Sequence, residues 1–313
     1  MNAEVALRAW GGGSLRPIKD RENAVYEVKL TDGRRAALRL HREGYQSAES
    51  IRSELWWMQA VALAGVPVPL PVPSGGGDLV HILPDGRVAT MISWVEGDEL
   101  GAAEHALGGS QDEKCGRFDA IGQLVARLHN VTDTLVLPDW FCRHYWDADG
   151  FLGETPFWGR FWENPTLRLG ELDTIQSART RAGEQLAAFV KAEADFGLIH
   201  ADVLRENVLF GADGAVLIDF DDCGFGFRIY DLATLASQNE TEADHAKLMS
   251  AAIAGYRKRR PLSEYAEAML PCFVMLRRFA SCGWIVPRAA PDDPQVRLYA
   301  KRAVDAAQRF LAD

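Results

Sequence analysis

Leu198-Ile-His-Ala-Asp-Val-Leu-Arg-Glu-Asn-Val-Leu-Phe210, followed by Val216-Leu-Ile-Asp-Phe-Asp-Asp222, decides how the rest of the chain is read. Gly211-Ala-Asp-Gly214 between them is a turn signal. The pattern is a polar loop, a short strand, a tight turn and a second strand that ends at Asp219. A hairpin returns the chain on itself, so Asn207 and Asp219 are expected to approach each other. An amide oxygen and a carboxylate are hard oxygen donors of the kind Mg2+ takes alongside phosphate oxygens and water. Asp202, five residues before Asn207, is then expected beside a hydroxyl group, where it orients that group and accepts its proton.

Working outward, residues 1–96 read as strand-rich. Val25–Leu30 alternates in the strand manner, Thr31-Asp-Gly33 turns, and Ala36–Leu40 follows, predicting an antiparallel hairpin. Ile51, Leu55, Met58 and Ala62 recur at helical steps, predicting a helix over 47–64 that Gly65 and Pro67 end. Two more strands are expected at 79–83 and 88–94. From Gly97 onward helical periodicity dominates, with helices expected near 111–130, 176–194, 229–237, 242–259, 262–281 and 294–311. Residues 138–170 are aromatic-rich and without clear period. The division is therefore a small antiparallel-sheet lobe with one helix (1–96) and a larger, mostly helical lobe (97–313), an α+β chain.

Composition narrows the function classes. The chain has 313 residues and a formal net charge of -10, which disfavours broad contact with nucleic acid or an anionic membrane. Five cysteines with no C-x-x-C pair argue against a disulfide framework or a zinc site. Residues 1–13 lack an apolar signal core. Val61–Gly77, within the longest uncharged stretch, holds four prolines and three consecutive glycines, so it cannot span a bilayer as a helix. A cytoplasmic location is expected, with no membrane or nucleic-acid partner.

His200-Ala-Asp202 with Asn207, then Ile218-Asp219-Phe-Asp221, resembles the catalytic and metal motifs of the aminoglycoside phosphotransferase and choline kinase superfamily, with its bilobal protein-kinase-like fold. The H-x-D-x-x-x-x-N run is shared with protein kinases, but Asp219-Phe220-Asp221 replaces their D-F-G, which favours the small-molecule branch. The stretch Ile218–Gly226 is similar to bacterial homoserine-kinase-like and stress-response Ser/Thr kinase-like members. The resemblance implies ATP and Mg2+, and transfer of the γ-phosphate to a hydroxyl of a small acceptor: an amino alcohol, homoserine, choline or an aminoglycoside. It implies Asp202 as catalytic base, Asn207 and Asp219 as metal ligands, and Asp231 and His200 as supports of the catalytic loop. It places Arg39 where the family has a phosphate-binding Lys, with Glu54 as its partner. Backbone groups near Ser93 and Val95 would hold adenine, and the loop Glu22-Asn23-Ala24 would cover the phosphates. A Ser/Thr protein acceptor and a nucleotide-binding pseudokinase are the alternatives, the latter drawing on Arg39 in place of Lys.

Other residues carry two readings each. Asp221 is either a second metal ligand or a contact for a cationic substrate, against a solvated acidic turn. Arg277 and Arg278 sit mid-helix; one of them, Arg278 by preference, is a candidate for a substrate carboxylate, against a surface ion pair. The aromatics of 140–162, Trp146 and Trp158 among them, are either a cation–π surface over the substrate or packing between helices. The chain is compatible with a monomer or a homodimer.

Overall fold

A computed structural model describes residues 2–20, 23–192 and 194–312. Glu22, at the head of the expected phosphate loop, lies outside the described residues. The chain begins with α1 (Asn2–Arg8), β1 (Gly13–Asp20), β2 (Ala24–Leu30), β3 (Arg35–Leu40), α2 (Ala48–Leu63), β4 (Val80–Ile82), β5 (Val88–Ser93) and β6 (Asp98–Glu99). It continues with α3 (Gln111–Thr132), β7 (Tyr145–Trp146), α4 (Ala148–Leu152), α5 (Leu169–Lys191), β8 (Phe196–Ile199), β9 (Val208–Gly211), β10 (Gly214–Leu217) and β11 (Gly224–Phe227). The helices α6 (Ile229–Asn239), α7 (His245–Arg257), α8 (Glu264–Ala268), α9 (Leu270–Trp284) and α10 (Pro294–Ala312) complete it.

Two compact units share these elements, and neither is continuous in sequence. The sheet unit takes Met1–Leu100, Val131–Arg143 and Val208–Asp221. The helical unit takes Gly101–Asn130, His144–Asn207 and Asp222–Asp313.

In the sheet unit five antiparallel strands run in the order β1-β2-β3-β5-β4. Side chains alternate across a strand. Leu38 and Leu40 of β3 join Val28, Leu30, Ala89 and Met91 on one face, under Ala6, Leu7 and Trp10. Arg39 therefore points to the opposite face, where it meets α2. That helix starts at Ser47, whose hydroxyl accepts the Ser50 N–H, and buries Ile51, Leu55 and Met58. β9 and β10 form the expected hairpin, with β6 added at its other edge.

In the helical unit β8 and β11 pair antiparallel, with β7 alongside β11. Phe118, Ile121, Val125 and Leu128 of α3 are buried, as their spacing predicts. α3 and α7 cross at glycines: a Cβ on Gly122 would stand 1.9 Å from the Ala252 carbonyl oxygen, and one on Gly255 2.1 Å from that of Asp119. Among the described residues no helix is long and apolar enough to cross a membrane. None of the five cysteines is in a disulfide.

Four local expectations change. The sheet lobe, expected to hold one helix, has the short α1 besides α2. The single helix expected over 262–281 is two, α8 and α9, because Pro271 sits in the first turn of α9 and has no N–H to continue a ladder from α8. β1 was not expected. Its Pro17 masks the strand pattern, and the strand tolerates it at the edge of the sheet beside a register shift. The two-to-four-residue strands β7, β8 and β11 are too short to show a period.

Candidate active site

In the helical unit β8 runs into His200, and the chain turns sharply at Ala201, whose φ is 65°. That left-handed backbone is unfavourable for a residue with a Cβ and needs holding in place. Asp231, on the first turn of α6, does so. Its carboxylate accepts the backbone N–H groups of His200 (3.0 Å) and Ala201 (2.6 Å) and the ring Nε2 of His129 (2.9 Å). Burial alone would raise this carboxyl, but the His129 hydrogen bond and the other donors hold it below its ordinary value. His129 is fully buried, and burial lowers it to about 4, so its ring is neutral. Nε2–H then donates to Asp231 while Nδ1 accepts from the Tyr256 hydroxyl at 2.9 Å. His200 is buried, and its Nδ1 accepts the Asp202 N–H. Asp231 and His200 thus both accept backbone N–H groups of this loop.

Beyond the turn, both Asp202 carboxylate oxygens are engaged. Oδ2 accepts from Asn207 Nδ2 at 2.7 Å, and Oδ1 accepts from an Arg277 guanidinium nitrogen at 2.7 Å. Asn207 Nδ2 also donates to the Asp202 carbonyl oxygen at 2.9 Å. With the amide nitrogen committed to Asp202, Oδ1 is the Asn207 atom left for a ligand. Arg205, within the loop, is anchored by Glu242 (2.7 Å), Asn239 Oδ1 (2.8 Å) and the His105 carbonyl (2.5 Å).

In the sheet unit the chain after β10 places Asp219 with φ 63° and a side chain about one-third exposed (37%). Phe220 is buried against Trp57 of α2, ring centroids 5.3 Å apart. Arg39, itself buried, reaches Glu54 Oε1 at 2.9 Å and Asp219 Oδ1 at 3.1 Å, with Asp221 Oδ1 at 4.0 Å. The expected Arg39–Glu54 pair is thus formed. Arg143 adds a second guanidinium, donating to the Asp221 carbonyl at 2.5 Å and to Ser50 Oγ at 3.0 Å.

Three carboxylates, Glu54, Asp219 and Asp221, face these two guanidiniums. His41 lies nearby, but burial keeps it well below its ordinary value, hence neutral. With all three carboxylates ionised, the cluster would hold one negative charge more than the two guanidiniums balance. Burial pushes Glu54 up to about 7 and raises Asp221, with Arg39 opposing in both cases. Glu54 Oε2 and Asp221 Oδ1 are buried without a hydrogen-bond partner. Surplus charge, orphaned oxygens and a partly exposed Asp219 suit a divalent cation. Among the described residues no group of three or more His, Cys, Asp or Glu could hold a metal by itself.

The remaining expected residues fall as follows. Asn23 is buried and turned inward, its amide donating to Asp221 Oδ2 (3.1 Å) and its Oδ1 accepting the Arg42 N–H (2.9 Å). Ser93 ends β5, with its N–H on the Leu70 carbonyl (2.7 Å) and its Oγ accepting the Leu70 N–H (2.9 Å). Val95 follows, half-buried, just past the strand end. Arg278 is tied to Glu240 at 2.7 Å and to the Ser237 carbonyl. Its neighbour Arg277 is the one that meets Asp202. Sequence reasoning also passed over His129, Arg143 and Arg205. His129 lies four residues beyond Val125 on the buried stripe of α3, a polar residue at a core position, and that was the available signal.

The sequence pattern of the phosphotransferase enzyme family matches residues 14–268. The solved structure of a microcompartment-associated aminopropanol kinase is similar with a TM-score of 0.86 at 30% identity, over 99% of this chain and 97% of that one. Amicoumacin kinase of Bacillus subtilis (strain 168) is 24% identical over 295 residues, which is 90% of this chain and 82% of its own length. Homoserine kinase of Chelativorans sp. (strain BNC1) is 31% identical over 224 residues, 68% of this chain and 62% of its own length.

Proposed function

This chain belongs to the phosphotransferase enzyme family, an ATP-dependent phosphotransferase of the α+β kinase-like fold, and on that premise we propose that it phosphorylates the hydroxyl of a small amino alcohol. The observation that carries the reading is the Asp202–Asn207 pair, in which one amide fixes the carboxylate and keeps its own oxygen for a cation. The acceptor class rests on the likeness to an aminopropanol kinase over nearly the whole of both chains.

In this reading Asn207 Oδ1 and the Asp219 carboxylate would each offer an oxygen to Mg2+. Held there, Mg2+ would supply charge neutralisation for the transferring phosphate, and the protein contributes positioning and electrostatics. Asp202 orients the acceptor hydroxyl and takes its proton as the oxygen bonds to the γ-phosphorus. The bond from that phosphorus to the β-phosphate oxygen breaks, and ADP leaves. Arg39, fixed by Glu54, contacts phosphate oxygens. The backbone at Ser93 and Val95 reads adenine, and Asn23 and Asp221 shape the phosphate end. We read 1–96 as the nucleotide lobe and 97–313 as the lobe that supplies the base and binds the acceptor. Within the latter, Trp146 is fully buried and packs edge-to-face with Phe157 and Trp158, so these rings serve as packing between elements.

The test is a panel of acceptors with ATP and Mg2+: aminopropanol, ethanolamine, choline, homoserine, an aminoglycoside and a generic protein substrate. Aminopropanol or ethanolamine should give the highest kcat/KM. Preferred transfer to the protein substrate would replace this reading with a protein kinase.

A further inference from the structure

We propose that Arg277 is a positioning residue for the transfer, holding the Asp202 carboxylate in its working orientation from a helix outside the motif-bearing segment. The inference rests on the reading of Asp202 as base and adds a residue to it.

Arg277 lies in the middle of α9, about 75 residues beyond Asp202 in sequence. Its guanidinium grips two successive residues of the catalytic loop: the Ala201 carbonyl at 3.2 Å and Asp202 Oδ1 at 2.7 Å. Ala201 is the residue in the left-handed conformation, so the grip falls on the turn that aims Asp202. From the other side the indole of Trp158 lies against the guanidinium, 4.6 Å from ring centroid to Cζ. Tyr230 and Asp222 complete the electrostatic surroundings. The side chain is 7% exposed. With Oδ1 on Arg277 and Oδ2 on Asn207, rotation of the carboxylate would break a charge-assisted bond at either end.

A buried ion pair is weak evidence for stability, since well-packed apolar groups often serve as well. This one joins the proposed base to a rigid helix. A flat fork that binds two acceptors and lies on an indole is a task for Arg, and Lys cannot reproduce it. Residue 278, next in sequence, makes none of these contacts and is tied to Glu240.

The experiment compares the native chain, Arg277→Met, Arg277→Lys, Asp202→Asn and the double variant Arg277→Met/Asp202→Asn. It uses Mg2+-ATP with aminopropanol as acceptor and, in parallel, ATP hydrolysis to water. Thermal melts accompany each protein. Arg277→Met should lower kcat by about 100-fold, the order expected when a reacting group is misplaced by about 1 Å, with KM for ATP changed less than about threefold. Arg277→Lys should recover only part of the loss. In the Asp202→Asn background the Arg277 change should lower kcat no further. Arg277→Lys with native turnover overturns the inference. So does a double variant that falls as far below Asp202→Asn as Arg277→Met falls below the native chain, because the two residues would then act independently. Should Arg277→Met not fold, the Lys variant and the double variant, which leaves no buried unpaired charge, carry the comparison. If Asp202→Asn alone turns over like the native chain, the base assignment fails. Loss on Asp202→Asn with none on either Arg277 variant removes the positioning role alone.

Discussion

The loop from His200 to Asn207 and the segment from Ile218 to Asp221 both bury carboxylates, yet they balance them differently. In the first, each carboxylate has named donors: Asp231 has two backbone N–H groups and His129, and Asp202 has Asn207 and Arg277. In the second, three carboxylates share two guanidiniums, and oxygens of Glu54 and Asp221 have no hydrogen-bond partner. Unmet buried charge is costly, so a protein keeps it where a ligand will meet it. The difference teaches a division of labour. One region is finished by the polypeptide and holds Asp202, the base we propose, in place. The other is completed by what it binds.

The comparison can be broken most decisively at the unfinished end. Asp219→Ala should abolish Mg2+-dependent turnover, a loss on the order of 10³-fold or more, while the melting temperature holds or rises as the charge surplus shrinks. A fall in melting temperature with activity retained would place Asp219 among the structural carboxylates instead. At the finished end, Asp202→Asn should lower kcat by roughly 10²–10⁴-fold with nearly unchanged ATP affinity, read by steady-state kinetics and nucleotide titration. Loss of ATP binding in that variant would erase the distinction between the two regions.

The smallest effect concerns the brace. His129 is held neutral in the fold, with its value lowered to about 4 from the ordinary 6.5. The unfolded chain binds that proton at a higher pH than the folded chain does. Stability is therefore unaffected by His129 above about pH 6.5 and falls as pH drops from there to about 4, by up to roughly 3 kcal/mol. His41, also lowered, acts in the same direction. Urea unfolding at several pH values across this window should show the slope, and His129→Gln should remove its share. An unchanged slope in that variant would mean that the brace is not the acid-sensitive part.

Much of this contrast was legible in the sequence because it is local. Asn207 and Asp219 flank a hairpin whose turn is written in glycines, and Asp231 follows within one helical turn of Arg228. Glu54 was found because α2 shows its buried stripe openly. What escaped depends on which way a side chain points from a helix otherwise well predicted. Arg277 and Arg278 are adjacent and chemically alike. Only the first lies four residues beyond buried Phe273 on the core stripe, and it is the one that turns inward. Arg143 lies in an aromatic-rich stretch with no period, so nothing announced that it would join the Arg39 cluster. Asn23 was assigned to the phosphates from resemblance; its burial beneath Arg42 and Asp221 depends on tertiary packing that no local pattern encodes.

The guanidinium on α9 has one more implication, for how small this protein can be made. The family pattern ends at residue 268, so a fragment trimmed to that span would keep every recognisable motif and still lack residue 277. A domain excised by motif alone would retain its nucleotide chemistry on paper while its base stood unsupported. For this chain the minimal working module has to be drawn around contacts in space, and it extends into the C-terminal helices.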